Sequence, residues 1–198
     1  MSSKSLVETL KPQGHLEIIK TYLDGTKEVV FSDHNVITVG LGVTLATLFG
    51  NITPGTSIGK YQIKYFQLGT AGSVSYSSSA LTQLETQFTQ SDYGGTPLGL
   101  RSHYNADGSG GTTTQTFAEL GAEAITKVST DQVTYIIDLD TDTGNGKSVT
   151  EIGLFASDPL DLETSVGTKG SLLCSYRYFP AISKTTTFAL TFKWTITF

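Results

Sequence analysis

From Thr187 to the end of the chain, apolar and polar positions alternate. Phe188, Leu190, Phe192, Trp194, Ile196 and Phe198 fall on one side, and Thr187, Ala189, Thr191, Lys193, Thr195 and Thr197 on the other. A period of two carried by aromatic and β-branched side chains predicts a half-buried antiparallel strand. The run Leu172–Ile182 also favours a strand, and the short polar link Ser183-Lys184-Thr185 predicts that the two form a final hairpin. At the other end, Gly14–Tyr22 and Lys27–Phe31 flank Asp24-Gly25, a tight-turn signal that predicts an early hairpin. Between Val39 and Phe49 the apolar residues recur at three and four, which predicts a helix. Asp33 or Asn35 is its expected cap and Gly50-Asn51 its stop. Gly40 and Gly42 each weaken its first turn by about 1 kcal/mol, which points to close packing on that end.

Further strands are predicted over Tyr61–Gly69, over Ala124–Asp140 as a pair turning near Asp131-Gln132, and over Val149–Ala156 after the hairpin-type dipeptide Asn145-Gly146. Periodicity leaves Leu81–Phe88 open between a short helix and an extended segment. Residues 1–13 read as a polar N-terminal arm, and residues 91–116 as a long irregular loop rich in Gly and Thr. Seven or eight strands with one principal helix predict a mainly β chain. The expected fold is an antiparallel β-sandwich, jelly-roll-like, with the helix packed on it and a single domain over residues 14–198. No repeat of fixed period supports a solenoid or propeller.

Charged residues make up only 16 % of the chain and the net charge is −5. Without a basic stripe to displace counterions, nucleic acid is not an expected partner. Cys174 is the only cysteine, which excludes an intrachain disulfide and a cysteine-based zinc site; within its strand it reads as a buried thiol. No apolar run suggests a leader or a membrane span, so synthesis and assembly in a cytosol are expected.

The candidate chemistry is sparse. His15, His34 and His103 are far apart in sequence and show no metal-binding spacing. No nucleophile elbow or phosphate-binding glycine loop occurs; Gly40-Leu41-Gly42 lacks the third glycine. Asp138, Asp140 and Asp142, followed by Gly144-Asn145-Gly146, put three carboxylates on one side of an extended segment and form a candidate Ca²⁺ site. Against it, Thr143 stands where an EF-hand has glycine and Val149 where it has glutamate. Glu119 and Glu123 are candidates for an acid pair on a helix. Tyr93, Tyr104 and Tyr61, with Arg101 in the same stretch, are candidates for stacking on sugars or meeting a protein partner, or else for closing the edge of the core. Asn51-Ile52-Thr53 matches a glycosylation sequon.

Three stretches together resemble a known family. They are HNVITVGLGVTLATLFGN, then YFQLGTAGS followed by SSALTQLETQF, and finally VTEIGLFASD followed by GSLLCSYRYFPAISKTTTFALTFKWTITF. In this order, over about residues 34–88 and 148–198, the chain resembles virion structural proteins of tailed bacteriophages, of the tail-collar fibre and tail-fibre kind. The resemblance implies a non-enzymatic assembly module without a cofactor, working as a homo-oligomer docked to other virion proteins. The long trimeric shaft of a receptor-binding fibre is missing. That favours an adaptor, collar, baseplate or capsid-decorating role over host recognition, with a host surface glycan as the rival partner. A small glycan hydrolase ranks last.

Overall fold

The computed structural model describes residues 12–50, 61–73, 75, 78–105, 116–156 and 172–198. The chain is mainly β, as expected, with one principal helix. Its strands are β1 (Gln13–Tyr22), β2 (Lys27–Ile37), β3 (Ile63–Gly69), β4 (Leu100–Asn105), β5 (Thr116–Leu120), β6 (Ile125–Lys127), β7 (Gln132–Leu139), β8 (Ser148–Ala156), β9 (Leu172–Ser183) and β10 (Phe188–Thr197). The helices are α1 (Val39–Gly50) and the single turn α2 (Gln90–Tyr93). All pairings are antiparallel and join in one order, β4-β5-β3-β8-β9-β2-β1-β10-β7-β6. This continuous order stands in place of the two separate sheets of the expected jelly-roll sandwich.

The sheet curls until its ends nearly meet. Just before β4, Leu98 and Asp138 of β7 exchange two backbone hydrogen bonds, of 2.8 and 3.1 Å. Gly99 makes this approach possible. Its φ is +88°, and a Cβ there would lie 2.9 Å from the Ile136 carbonyl oxygen. Inside the curl, Phe192 of β10 packs its ring against Phe66 of β3 (5.9 Å) and Phe179 of β9 (6.3 Å), so strands distant in the sheet share one core. The alternation read along β10 is the reason: Phe188, Leu190, Phe192, Trp194 and Ile196 all point inward and are buried, Trp194 to 1 % exposure. Phe198, expected in the same set, lies beyond the strand and is 39 % exposed.

Two predicted connections differ from what forms. β9 and β10 are not a hairpin: β10 lies between β1 and β7, and β9 between β8 and β2. Likewise the Asn145-Gly146 link carries the chain from β7 to β8, which are not neighbours. These two crossing links run side by side, with Gly146 N–H donating to the Lys184 carbonyl (3.0 Å) and Lys184 N–H to that of Lys147 (2.9 Å). The early hairpin forms at Asp24-Gly25 as expected, with β2 extended to Ile37 and a bulge at Val30. Since β2 takes in Asp33 and Asn35, neither caps α1. Residues 81–88 hold no helix, and β1 begins inside the expected arm, whose residues 1–11 lie outside the described part. The expected loop 91–116 contains the end of α2 and all of β4; its residues 106–115 lie outside the described part, as does Asn51 of the sequon.

β8 is buried on both faces. Ile152 and Leu154 enter the main core, while Phe155 joins Leu84, Leu173 and Tyr176 in a second cluster on the outer side. That explains why Ile152–Ala156 reads as an apolar run rather than an alternation. The buried Glu151 carboxylate pins the covering segment by accepting from the backbone N–H of Glu85 (3.0 Å) and Thr86 (2.9 Å) and from the Tyr176 hydroxyl (3.1 Å).

Candidate interaction surface

The candidate residues for chemistry resolve into structural contacts. Tyr93 is fully buried at the end of α2, its ring 5.1 Å from that of Phe88 and its hydroxyl accepting from Leu68 N–H (3.4 Å). Burial drives its phenol pKa strongly upward. The expectation that Tyr93 stacks on a ligand at the surface is therefore corrected: a side chain with no exposed face meets no sugar. Tyr61 is buried too. Arg101 and Tyr104 lie on β4, and their side chains are outside the described part.

The three aspartates do not converge. Asp138 accepts from the Thr191 hydroxyl on the neighbouring strand, while Asp140 accepts from the N–H of Asp142 and of Thr143 (both 2.9 Å) and shapes the crossing link. Among the described residues no three His, Cys, Asp or Glu side chains are grouped to hold a metal ion. The cation of this region belongs to the chain itself. Lys184 is 1 % exposed and donates to the Asn145 side-chain oxygen (3.0 Å) and the Thr185 carbonyl (2.9 Å). Burial lowers its pKa, and Asp140 and Asp142 act against that shift. Sequence spacing made the acids visible but not the ammonium that crosses over from the other link.

Cys174 is buried, and burial pushes its thiol up to about 11, so it is held as an unreactive thiol. Glu119 sits on β5 and Glu123 in a 3-10 turn at Ala122–Ala124, so the expected helical acid pair does not form. His15 and His34, far apart in sequence, lie directly opposite across β1 and β2 with ring centroids 5.8 Å apart. The three-residue connection Leu23–Gly25 and the bulge at Val30 together set this register, so the pairing could not be read from the turn signal alone. His34 also borders a shallow open hollow lined by Pro12, Gln13, Gly14, Asn35 and Ile37.

What remains at the surface is α1. Its sequence, VGLGVTLATLFG, carries no charge. One side packs on β9: Leu41 enters the main core, and the Thr38 hydroxyl just before the helix donates to the Leu173 carbonyl. Gly40 is the close approach anticipated from sequence, since a Cβ there would collide with the same Leu173 carbonyl oxygen. The other side faces outward, with Val39 at 54 %, Val43 at 41 % and Phe49 at 85 % exposure, and Gly42, Ala46 and Gly50 exposed between them. A helix without charged residues is normally enclosed; here Val39, Val43 and Phe49 are not. Among the described residues no helix is long and apolar enough to cross a membrane.

No protein-family model, curated protein or solved structure matches the chain.

Proposed function

We propose that this protein is a non-enzymatic structural protein of a tailed-bacteriophage virion, a tail, collar or baseplate adaptor or fibre component that acts by oligomerising and docking to neighbouring virion proteins. The observation that carries the reading is the uncharged outward face of α1, with Phe49 85 % exposed on a chain of net charge −5. An apolar face of this kind is what an assembling subunit presents to a neighbour. The residues whose spacing suggested chemistry spend it internally: Asp140 on its own loop and Tyr93 in the core. The three sequence stretches that resemble tail-collar and tail-fibre proteins point the same way. Its place is then the assembled particle, and its partners are other virion proteins.

The reading is tested by fractionating particles on a density gradient and quantifying the chain by mass spectrometry. Co-migration with intact tails at a fixed stoichiometry is the expected result. Recovery only in the soluble lysate, with none in the particles, would sink it.

A further inference from the structure

We infer that the outward face of α1 docks against the same face of a second copy, the two helices antiparallel about a two-fold axis at Ala46. The inference deepens the assembly reading and rests on it. Its starting point is the difference between two glycines. Gly40 is explained inside the chain by the Leu173 carbonyl, whereas a Cβ on Gly42 or Gly50 would meet nothing within 4 Å. Glycine is an unfavourable helix residue, and at Gly42 no contact among the described residues requires it. An approaching surface does. Gly42, Ala46 and Gly50 are four residues apart and so line up on one side of the helix, forming a shallow trough bordered by Val39, Val43 and Phe49.

The relief is its own complement. When α1 is laid antiparallel on a copy of itself about Ala46, Gly42 of each copy comes level with Gly50 of the other, and Phe49 comes level with Val43. Each ridge then enters the other's trough, and closed two-fold association needs this self-matching. Charge permits the same occupant. Two copies of a chain with net charge −5 repel in general, but α1 brings no charge to the contact. Its first turn has no acid and its last turn no base, so its end dipoles have no compensating side chain on the helix. An antiparallel mate sets the positive end of each helix beside the negative end of the other.

The test uses the full chain. Ala46→Cys places one thiol at the proposed axis, and the buried Cys174 contributes little background; Leu23→Cys, on the exposed Leu23 of the β1–β2 turn, is the control. The expected results are a dimer in sedimentation at micromolar concentration, rapid disulfide dimerisation of Ala46→Cys and none of Leu23→Cys. Gly42→Leu fills the trough and should weaken dimerisation about tenfold or more with an unchanged circular dichroism spectrum. Phe49→Ser gives a second disruption should Gly42→Leu misfold. An oligomer in which Ala46→Cys links no faster than Leu23→Cys, and which neither disrupting variant weakens, overturns the inference and leaves the assembly reading standing. So does a monomer that still co-purifies with particles. A monomer absent from particles overturns both.

Discussion

β10 and α1 are both rich in apolar residues, and they treat them in opposite ways. In β10 every large inward residue from Phe188 to Ile196 is sealed, and threonines and a lysine cover the other face. In α1 no residue is charged and the sealing is partial: Leu41 is buried, while Phe49 on the same helix is 85 % exposed. Burial inside the chain accounts for the first pattern and not for the second. The residues of β10 hold the fold together, whereas Val39 and Phe49 of α1 stay largely exposed.

Breaking the sealed side has the largest effect. Trp194→Ala removes a buried indole from the middle of the core and should cost about 4 kcal/mol in equilibrium unfolding. A cost under about 1 kcal/mol, typical of a surface site, would contradict its place in the core. Glu151→Ala comes next. It leaves two backbone N–H groups and the Tyr176 hydroxyl without their acceptor and should cost about 3 kcal/mol by the same measurement.

Glu151 also sets a pH dependence. Burial is the main cause that raises its pKa above the ordinary 4.5, with the hydrogen bonds from Thr86, Glu85 and Tyr176 opposing it. The folded chain therefore holds this proton more tightly than the unfolded chain. Its contribution to stability is fully present below the unfolded pKa and falls as pH rises from about 4.5 to the raised folded value. A urea series across that range should show the decline in the native chain and a flatter profile in Glu151→Gln; parallel profiles would remove Glu151 as the cause.

Smaller effects separate the two sides of α1 itself. Gly40→Ala drives a methyl into the Leu173 carbonyl and should destabilise by about 2 kcal/mol. Gly42→Ala meets open space and should instead stabilise the isolated subunit by up to about 1 kcal/mol, read as a rise of a few degrees in melting temperature. Phe49→Ala should leave subunit stability within about 0.5 kcal/mol, as exposed substitutions do. Equal losses for Gly40→Ala and Gly42→Ala would erase the distinction between the packed and outward sides.

Local periodicity and turn chemistry made the early hairpin, α1 and β10 legible in the sequence. Pairing between distant segments was not. The polar link Ser183-Lys184-Thr185 has the length of a hairpin turn, yet β10 pairs with β1 and β7 and meets β9 only across the core, where Phe192 packs on Phe179. Tyr93 lies among Gly and polar residues that suggest a surface loop; only the fold brings Phe88 and Leu68 to it. Lys184 looked like an ordinary turn lysine because its partner, Asn145, belongs to a different link. Gly42 beside Gly40 was visible as a cost to the helix, but their different causes required knowing which carbonyl lay near.

The meeting of Leu98 with Asp138 has a mechanical corollary. Two backbone hydrogen bonds join β7 to the chain just before β4 at that line, against full ladders along β1 and β10. A wall fastened so lightly at one line unzips there first, so deuterium should enter Leu98 and Asp138 long before it reaches Phe192.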